Sequence, residues 1–395
     1  VQARLLDWFA VHKRDLPWRR DRDPYRVWIS EAMLQQTRVE TVLPYYARFM
    51  ARFPTLAALS ESPIEDVLAA WSGLGYYRRA RTLHAAARTI VARHGGQFPR
   101  EHAELLSLPG IGPYTAGAVA SIAFEAREPL VDGNVARVFC RWFALAGEPS
   151  SLSSELWSRA RELMPAHGAC GDWNQALMEL GARICTPRDP HCGECPLRTD
   201  CRALAQDRVS ELPWPKARPE MIPVELHVMA VVEGERWLFE QRPSSGRMAE
   251  MWQLPTLEVA DSETAARAVE HGRLHPTAWP AGVDIYVGAR IGEVRHTITN
   301  HRIRAIVHEA ERAGGVPSST HESFRTASDS SDALSESADS PRFAWFDRRA
   351  AERLPLTGLA RKVLRARFLA ILAAPANQRR TTSPRRSPSN PIAND

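Results

Sequence analysis

Glu31 stands where a carboxyl is seldom found. It lies in the run Arg26 to Thr37; if that run is a helix, Val27 and Trp28 fall one turn before it and Leu34 three residues after, so the acid shares an apolar face. Burial disfavours the charged form, raises the pKa and can keep a carboxyl protonated as a general acid near neutrality. The alternative is a rim glutamate that caps the helix or pairs with an arginine. Asp132, in Val131 to Val135 just ahead of an apolar helical run, has the setting of a helix N-cap. A helix N-terminus also favours an ionised carboxylate, so the two acids could divide the work, Glu31 as proton donor and Asp132 as a standing negative charge.

Three further groupings carry chemical potential. Leu108 to Ala118 reads as a Gly-x-Gly hairpin, with Gly110 and Gly112, opening into a helix of small residues. Glycine lets the backbone come close to a ligand, and N–H groups at a helix start attract an anion, which suits a DNA phosphate. A plain helix-helix turn is the other reading. Cys185, Cys192, Cys195 and Cys201 are separated by six, two and five residues. Structural zinc usually takes two Cys-x-x-Cys pairs; one pair flanked by single cysteines leans toward a cluster and leaves zinc open. Gly73 to Arg79 joins flexible backbone to two tyrosines and two arginines. An aromatic there could wedge into a base stack while the arginines hold phosphates, or the tyrosines could be core residues of a helix start.

These residues need elements to position them. Through residues 1–207 apolar side chains recur at three and four spacings, as in Val39, Val42, Leu43, Tyr46, Phe49 and Met50, which predicts many short helices and almost no strand. Residues 208–224, with four prolines around Trp214, predict an exposed connector. From 225 to 372 the texture is mixed: strands over 226–232, 237–241, 284–294 and 302–307, a helix over 262–271, and a mobile loop rich in Ser, Asp and Thr over 313–341. Residues 373–395 predict a disordered tail. The fold class is multidomain, an all-α domain followed by an α+β domain.

The composition sets bounds. A net charge of +5 and a length of 395 residues fit a nucleic-acid partner and two domains, as they fit many basic proteins. No apolar run of eighteen residues and no leader stand out, which predicts a soluble intracellular protein without a membrane partner. In that setting four cysteines crowded into 185–201 point to a metal or cluster before disulfides, whereas Cys140 and Cys170 look like core residues. Lysine occurs only at 13, 216 and 362.

Together and in this order, the motifs resemble the endonuclease III superfamily of DNA glycosylases, its MutY branch in particular, over about residues 1 to 370. The likeness is densest in Leu16 to Arg19, Ser30 to Thr37, Gly73 to Tyr77, the hairpin, Val131 to Val135 and the four cysteines. It implies a helix-hairpin-helix glycosylase domain, the hairpin at about 105–121, with a 4Fe-4S cluster held by Cys185, Cys192, Cys195 and Cys201. It also implies roles. Glu31 would protonate adenine N7, Asp132 would stabilise the oxocarbenium-like sugar, and Asn134 would help orient the site. Trp18 and Arg19 would line the pocket, Gln175 would read the adenine edge, and Gln36 and Tyr77 would enter the duplex. The adenine would be flipped out of the helix, since its glycosidic bond is inaccessible in the stack.

Tyr114 takes the hairpin position where bifunctional relatives carry a Schiff-base lysine. Lys13 is the only lysine in 1–207, so a lysine-dependent lyase lacks a nucleophile and excision without strand cleavage is expected. The implied partner is double-stranded DNA with adenine opposite 8-oxoguanine or guanine, bound by a monomer in the cytoplasm, on the nucleoid; no protein partner is implied. Gln241 to Gly246 and Met251 to Pro255 resemble a Nudix-like domain, yet residues 256–272 lack the paired acids that would bind magnesium, so a pyrophosphatase is not expected. In the family this domain reads 8-oxoguanine through a Phe-Ser-His triplet. Here Ile298, Thr299 and Asn300 fall on that triplet and His301 one residue beyond, leaving the Thr299 hydroxyl and the Asn300 amide as candidate readers.

Overall fold

A computed structural model describes residues 1–215, 219–244, 246, 248–259, 273–274, 285–312 and 342–366. The chain forms two compact units, Val1–Arg218 and Pro219–Asp395.

The first unit is helical, in order α1 (Gln2–His12), α2 (Pro24–Leu34), α3 (Val39–Arg52), α4 (Leu56–Glu61), α5 (Ile64–Trp71) and α6 (Arg78–His94). There follow α7 (His102–Leu106), α8 (Pro113–Phe124), α9 (Gly133–Trp142), α10 (Ser153–Glu162), α11 (Cys170–Arg183) and α12 (Arg202–Ala205). Helices α3 to α6 pack together on one side, and α1, α9, α10, α11 and α12 on the other; α2 and α8 pack on each other between them. α2 starts where the Asp23 side chain accepts from the Arg26 N–H and Pro24 takes the first helical position. Every residue from Val27 to Met33 is buried, so the helix runs through the interior and carries Glu31 with it. α8 is built of small residues because it closes tightly on its neighbours: a Cβ on Gly117 would run into the carbonyl oxygen of Pro129.

Most described residues of the expected connector at 208–224 are exposed, Trp214 among them, but the segment is tied to the helical unit at one point. Leu212 is buried, its carbonyl accepts from Arg141 Nε at 2.8 Å, and the Trp214 N–H bonds the Gly147 carbonyl at 3.1 Å. A buried guanidinium needs acceptors, and this segment supplies one.

The second unit contains β1 (Ile222–Glu233), β2 (Arg236–Gln241), β3 (Trp252–Gln253), β4 (Thr256–Val259), β5 (Arg273–Leu274), β6 (Ile285–Ile298), β7 (His301–Arg312) and β8 (Arg342–Asp347), then α13 (Arg348–Arg353) and α14 (Gly358–Arg365). β1 runs parallel to β7, β6 and β7 form an antiparallel hairpin, and β2 lies antiparallel to β1 and β8. Leu226, Val228 and Ala230 face one core with Phe239, Leu359 and Val363, while Met229 and Val231 face a second with Leu238 and Ile285. Both faces of the sheet are covered, which is why Val228 to Val232 of β1 reads as a continuous apolar run instead of alternating. Ile222–Val224 open β1, so the sheet begins inside the expected connector. The helix expected at 262–271, the Ser-rich loop 313–341 and the tail 373–395 lie outside the described residues. Among the described residues no helix is long and apolar enough to cross a membrane.

Candidate active site

Ten of the residues singled out in the sequence line one cleft of the first unit, with a volume of about 1020 Å³: Trp18, Arg19, Glu31, Gln36, Gly110, Gly112, Tyr114, Asp132, Asn134 and Gln175. They come from five separate stretches of chain and meet only in the fold.

Glu31 is 4% exposed. The Tyr114 hydroxyl, from the first turn of α8, donates to its Oε2. Burial raises the Glu31 pKa to about 7; the Tyr114 hydrogen bond and the Arg19 charge oppose that rise, and the Asp132 charge adds to it. Tyr114 is held well above the usual tyrosine range, first by its own burial and then by the two neighbouring acids, so it serves as a neutral donor.

Asp132 caps α9 as its setting suggests. Oδ1 accepts from the Val135 N–H at 2.7 Å and Oδ2 from Asn134 Nδ2 at 2.9 Å. Its pKa is nevertheless raised: burial outweighs the Val135 and Asn134 hydrogen bonds and the Arg137 charge. The helix terminus favours the anion, as the sequence suggests, and burial works against it. Arg137 extends the network, donating to Asn134 Oδ1 at 2.9 Å and to the carbonyls of Gly181 at 2.7 Å and Cys185 at 2.8 Å.

A carboxylate that the sequence reading passed over lines the same cleft. Glu179 is fully buried, and it accepts from Arg14 Nε at 2.7 Å and Arg19 Nη2 at 2.9 Å. Its helical spacing of four from Gln175 puts both on one face of α11, which is the signal that could have found it. Nothing local pairs it with Arg14, which lies 165 residues earlier.

The segment Gly73 to Arg79 corrects two expectations. Tyr77 is 5% exposed and its hydroxyl accepts from the Gly73 N–H at 3.1 Å, so it is a core residue and not a group free to enter a duplex; Tyr76 is the exposed ring, at 46%. The backbone turns through a positive φ at Tyr76 and reverses which ring points out. Arg79 does not offer its charge to phosphates. It donates to the carbonyls of Ala32, Met33 and Gln35 at 2.6–2.9 Å and to Gly75 O at 3.1 Å, while burial lowers its pKa to about 10. These are the terminal carbonyls of α2, so Arg79 pins the turn that exposes Gln36. Lysine cannot reproduce that fork. Arg79→Lys should cost about 1–3 kcal/mol and lower the melting temperature by several degrees; an unchanged melting curve would refute this role.

In the hairpin, Gly110 has φ +73°, and a Cβ there would strike the Thr82 side chain. Gly112 is the N-cap of α8, with Pro113 in the first helical position.

The four clustered cysteines are half-buried and line one cavity together with Arg141, whose Nη1 lies 3.4 Å from Cys185 Sγ. Burial pushes the Cys195 thiol up to about 11, with Cys185, Cys201 and Cys192 adding to the rise, as expected of thiols that feel one another. Among the described residues no three His, Cys, Asp or Glu side chains are grouped as a single metal ion would require.

In the second unit Thr299 and Asn300 form the two-residue tip between β6 and β7. Thr299 has φ +51° and its hydroxyl donates to the Ile298 carbonyl at 2.7 Å. The Asn300 carbonyl accepts from the Ile222 N–H at 2.7 Å.

The chain is similar to known proteins along both units. The profile of the HhH-GPD superfamily of base excision DNA repair proteins matches residues 29–162, and that of the NUDIX domain matches 227–366. The adenine DNA glycosylase of Rattus norvegicus is 38% identical over 373 residues, covering 80% of this chain and 71% of the relative. That of Homo sapiens is 38% identical over 374 residues, covering 80% and 68%. A solved thermostable thymine-DNA glycosylase has 32% identity and a TM-score of 0.47, over 52% of this chain and 95% of that one.

Proposed function

The chain belongs to the adenine DNA glycosylase family, and from that premise we propose that Glu31 protonates the adenine of a flipped nucleotide while Asp132 stabilises the cationic sugar. The observation that carries this reading is the buried Glu31 carboxyl, with its pKa near 7 and the Tyr114 hydroxyl on one oxygen. A carboxyl so poised is largely protonated just below neutrality and still gives up its proton readily.

Proton transfer from Glu31 to N7 lets the bond between the sugar C1′ and N9 break with its electron pair going to the base. Asp132, fixed by Val135 and Asn134, faces the resulting cation, and a water deprotonated by Glu31 adds to C1′. Tyr114 offers an oxygen where Schiff-base chemistry needs an amine, which supports release of the base without strand cleavage. The substrate is duplex DNA with adenine opposite 8-oxoguanine or guanine. In this reading Thr299 and Asn300 address the opposite base, Gln36 enters the duplex, and Tyr76 replaces Tyr77 beside it. Trp18, Arg19 and Gln175 hold the adenine, Gly110 and Gly112 approach a phosphate, and the protein acts as a monomer inside the cell.

Cys185, Cys192, Cys195 and Cys201 would hold a 4Fe-4S cluster. Four soft thiolate donors that line one cavity suit such a cluster. When bound, the cluster would supply iron–thiolate bonds that brace residues 185–201, and no step of excision runs through it.

The test is single-turnover base release from a duplex carrying 8-oxoguanine opposite adenine, scored with and without alkali. Strand breaks only after alkali are the expected result. Breaks without alkali would overturn the assignment of Tyr114, and no base release would overturn the whole reading.

A further inference from the structure

We propose that Glu179 is a positioning residue of the excision reaction: its buried carboxylate fixes Arg14 and Arg19 in the wall of the cleft and partly offsets the Arg19 charge at Glu31. This rests on Glu31 being the proton donor.

Glu179 accepts from the Arg14 N–H at 3.3 Å, Arg14 Nε at 2.7 Å, Arg14 Nη2 at 2.9 Å and Arg19 Nη2 at 2.9 Å. Burial pushes its pKa up, but the Arg14 hydrogen bonds and the charges of Arg19 and Arg14 outweigh that and hold it below the ordinary value. It is therefore an anion wedged between two cations. Arg19 is also seated over the Phe9 ring at 5.6 Å and bonds the Arg14 carbonyl at 3.4 Å. Arg19 is the cation that acts on Glu31, favouring its ionised form.

The charged and titratable groups around this pair are few. Glu31 feels Tyr114 from α8, Asp132 at the start of α9 and Arg19. Glu179 feels Arg14 and Arg19, and Arg14 in turn feels Glu40 from α3. With Glu179 neutral, the Arg19 charge would act on Glu31 uncompensated and draw its proton off at lower pH.

Glu179→Gln keeps the shape and removes the charge. Breaking a buried ion pair also destabilises a fold, so a lower melting temperature decides nothing. The deciding measurement is the pH profile of single-turnover adenine release from pH 5 to 9. The alkaline limb should move down by about one unit in Glu179→Gln, giving about a tenfold loss at pH 8 and little at pH 5.5. Glu179→Asp should leave the limb in place. Arg19→Gln, which removes the cation and leaves Glu179 paired with Arg14, should move it up. That variant decides the matter if Glu179→Gln does not fold, a limb that stays put then counting against the proposal. An equal loss at every pH in Glu179→Gln would make Glu179 merely structural and overturn the proposal. A parent profile with no alkaline limb near pH 7 would instead overturn Glu31 as the donor.

Discussion

Glu31→Gln should lose about a thousandfold or more in single-turnover adenine release while binding mismatched duplex as tightly as the parent. Glutamine keeps the length of the side chain and an oxygen for the Tyr114 hydroxyl, so the cleft keeps its shape and only the transferable proton goes. The parent rate should be flat in acid and fall about tenfold per unit above pH 7, as the donor ionises. Stability should run the same way. A carboxyl raised from 4.5 to about 7 in the folded state binds its proton more tightly there. Its contribution is therefore complete below about 4.5 and is lost as the pH rises through about 7. The substituted protein, which has no charge to bury, should melt at or above the parent temperature at pH 8. Activity within tenfold of the parent, or a melting temperature well below it at pH 8, would contradict the assignment.

Asp132→Asn should lose about a hundred- to a thousandfold in the same assay with almost no change in melting temperature. In the proposed mechanism Asp132 does two jobs, and this substitution parts them. Asparagine caps helices about as well as aspartate, so the Val135 N–H keeps an acceptor and α9 keeps its start. What disappears is the negative charge that faces the sugar. The Asn134 amide, which donates to Asp132 Oδ2, would then meet an amide that can turn either its oxygen or its N–H₂ toward it. A rate loss that tracks a fall in stability would show the cap, and not the charge, to be the source of the effect.

The pattern of residues disclosed the architecture better than it disclosed the wall of the site. Helical spacing in 1–207 and apolar runs after 225 reflect burial of single faces, or of both, and such patterns are local. Glu31 and Asp132 stood out by local rules, an acid on an apolar face and an acid before a helix, but those rules fit a rim glutamate and a plain helix cap as well, and only the family resemblance implied their roles. Glu179 looked like any polar residue on an amphipathic helix, because its partners lie at the other end of the unit. Tyr76 and Tyr77 are neighbours of the same type, and only a positive φ decides which of them is exposed. Arg79 sits among residues suited to phosphates, but the terminal carbonyls of α2 claim it first.

α1 packs against α11, Arg4 pairs with Asp200, and Arg14 pairs with Glu179, at separations of 165 to 196 residues. The middle of the unit, from α3 to α6, closes on itself through short-range contacts, whereas the cleft is sealed by joining the two ends. Joining them means paying the entropy of a very long loop closure, a step that can follow only after the local helices exist. On the ribosome, α3 to α6 could therefore settle while α11 is still being made. The cleft would stay unfinished until α11 had emerged to pack against α1, so a nascent or truncated product would hold its first helices before it held a complete site.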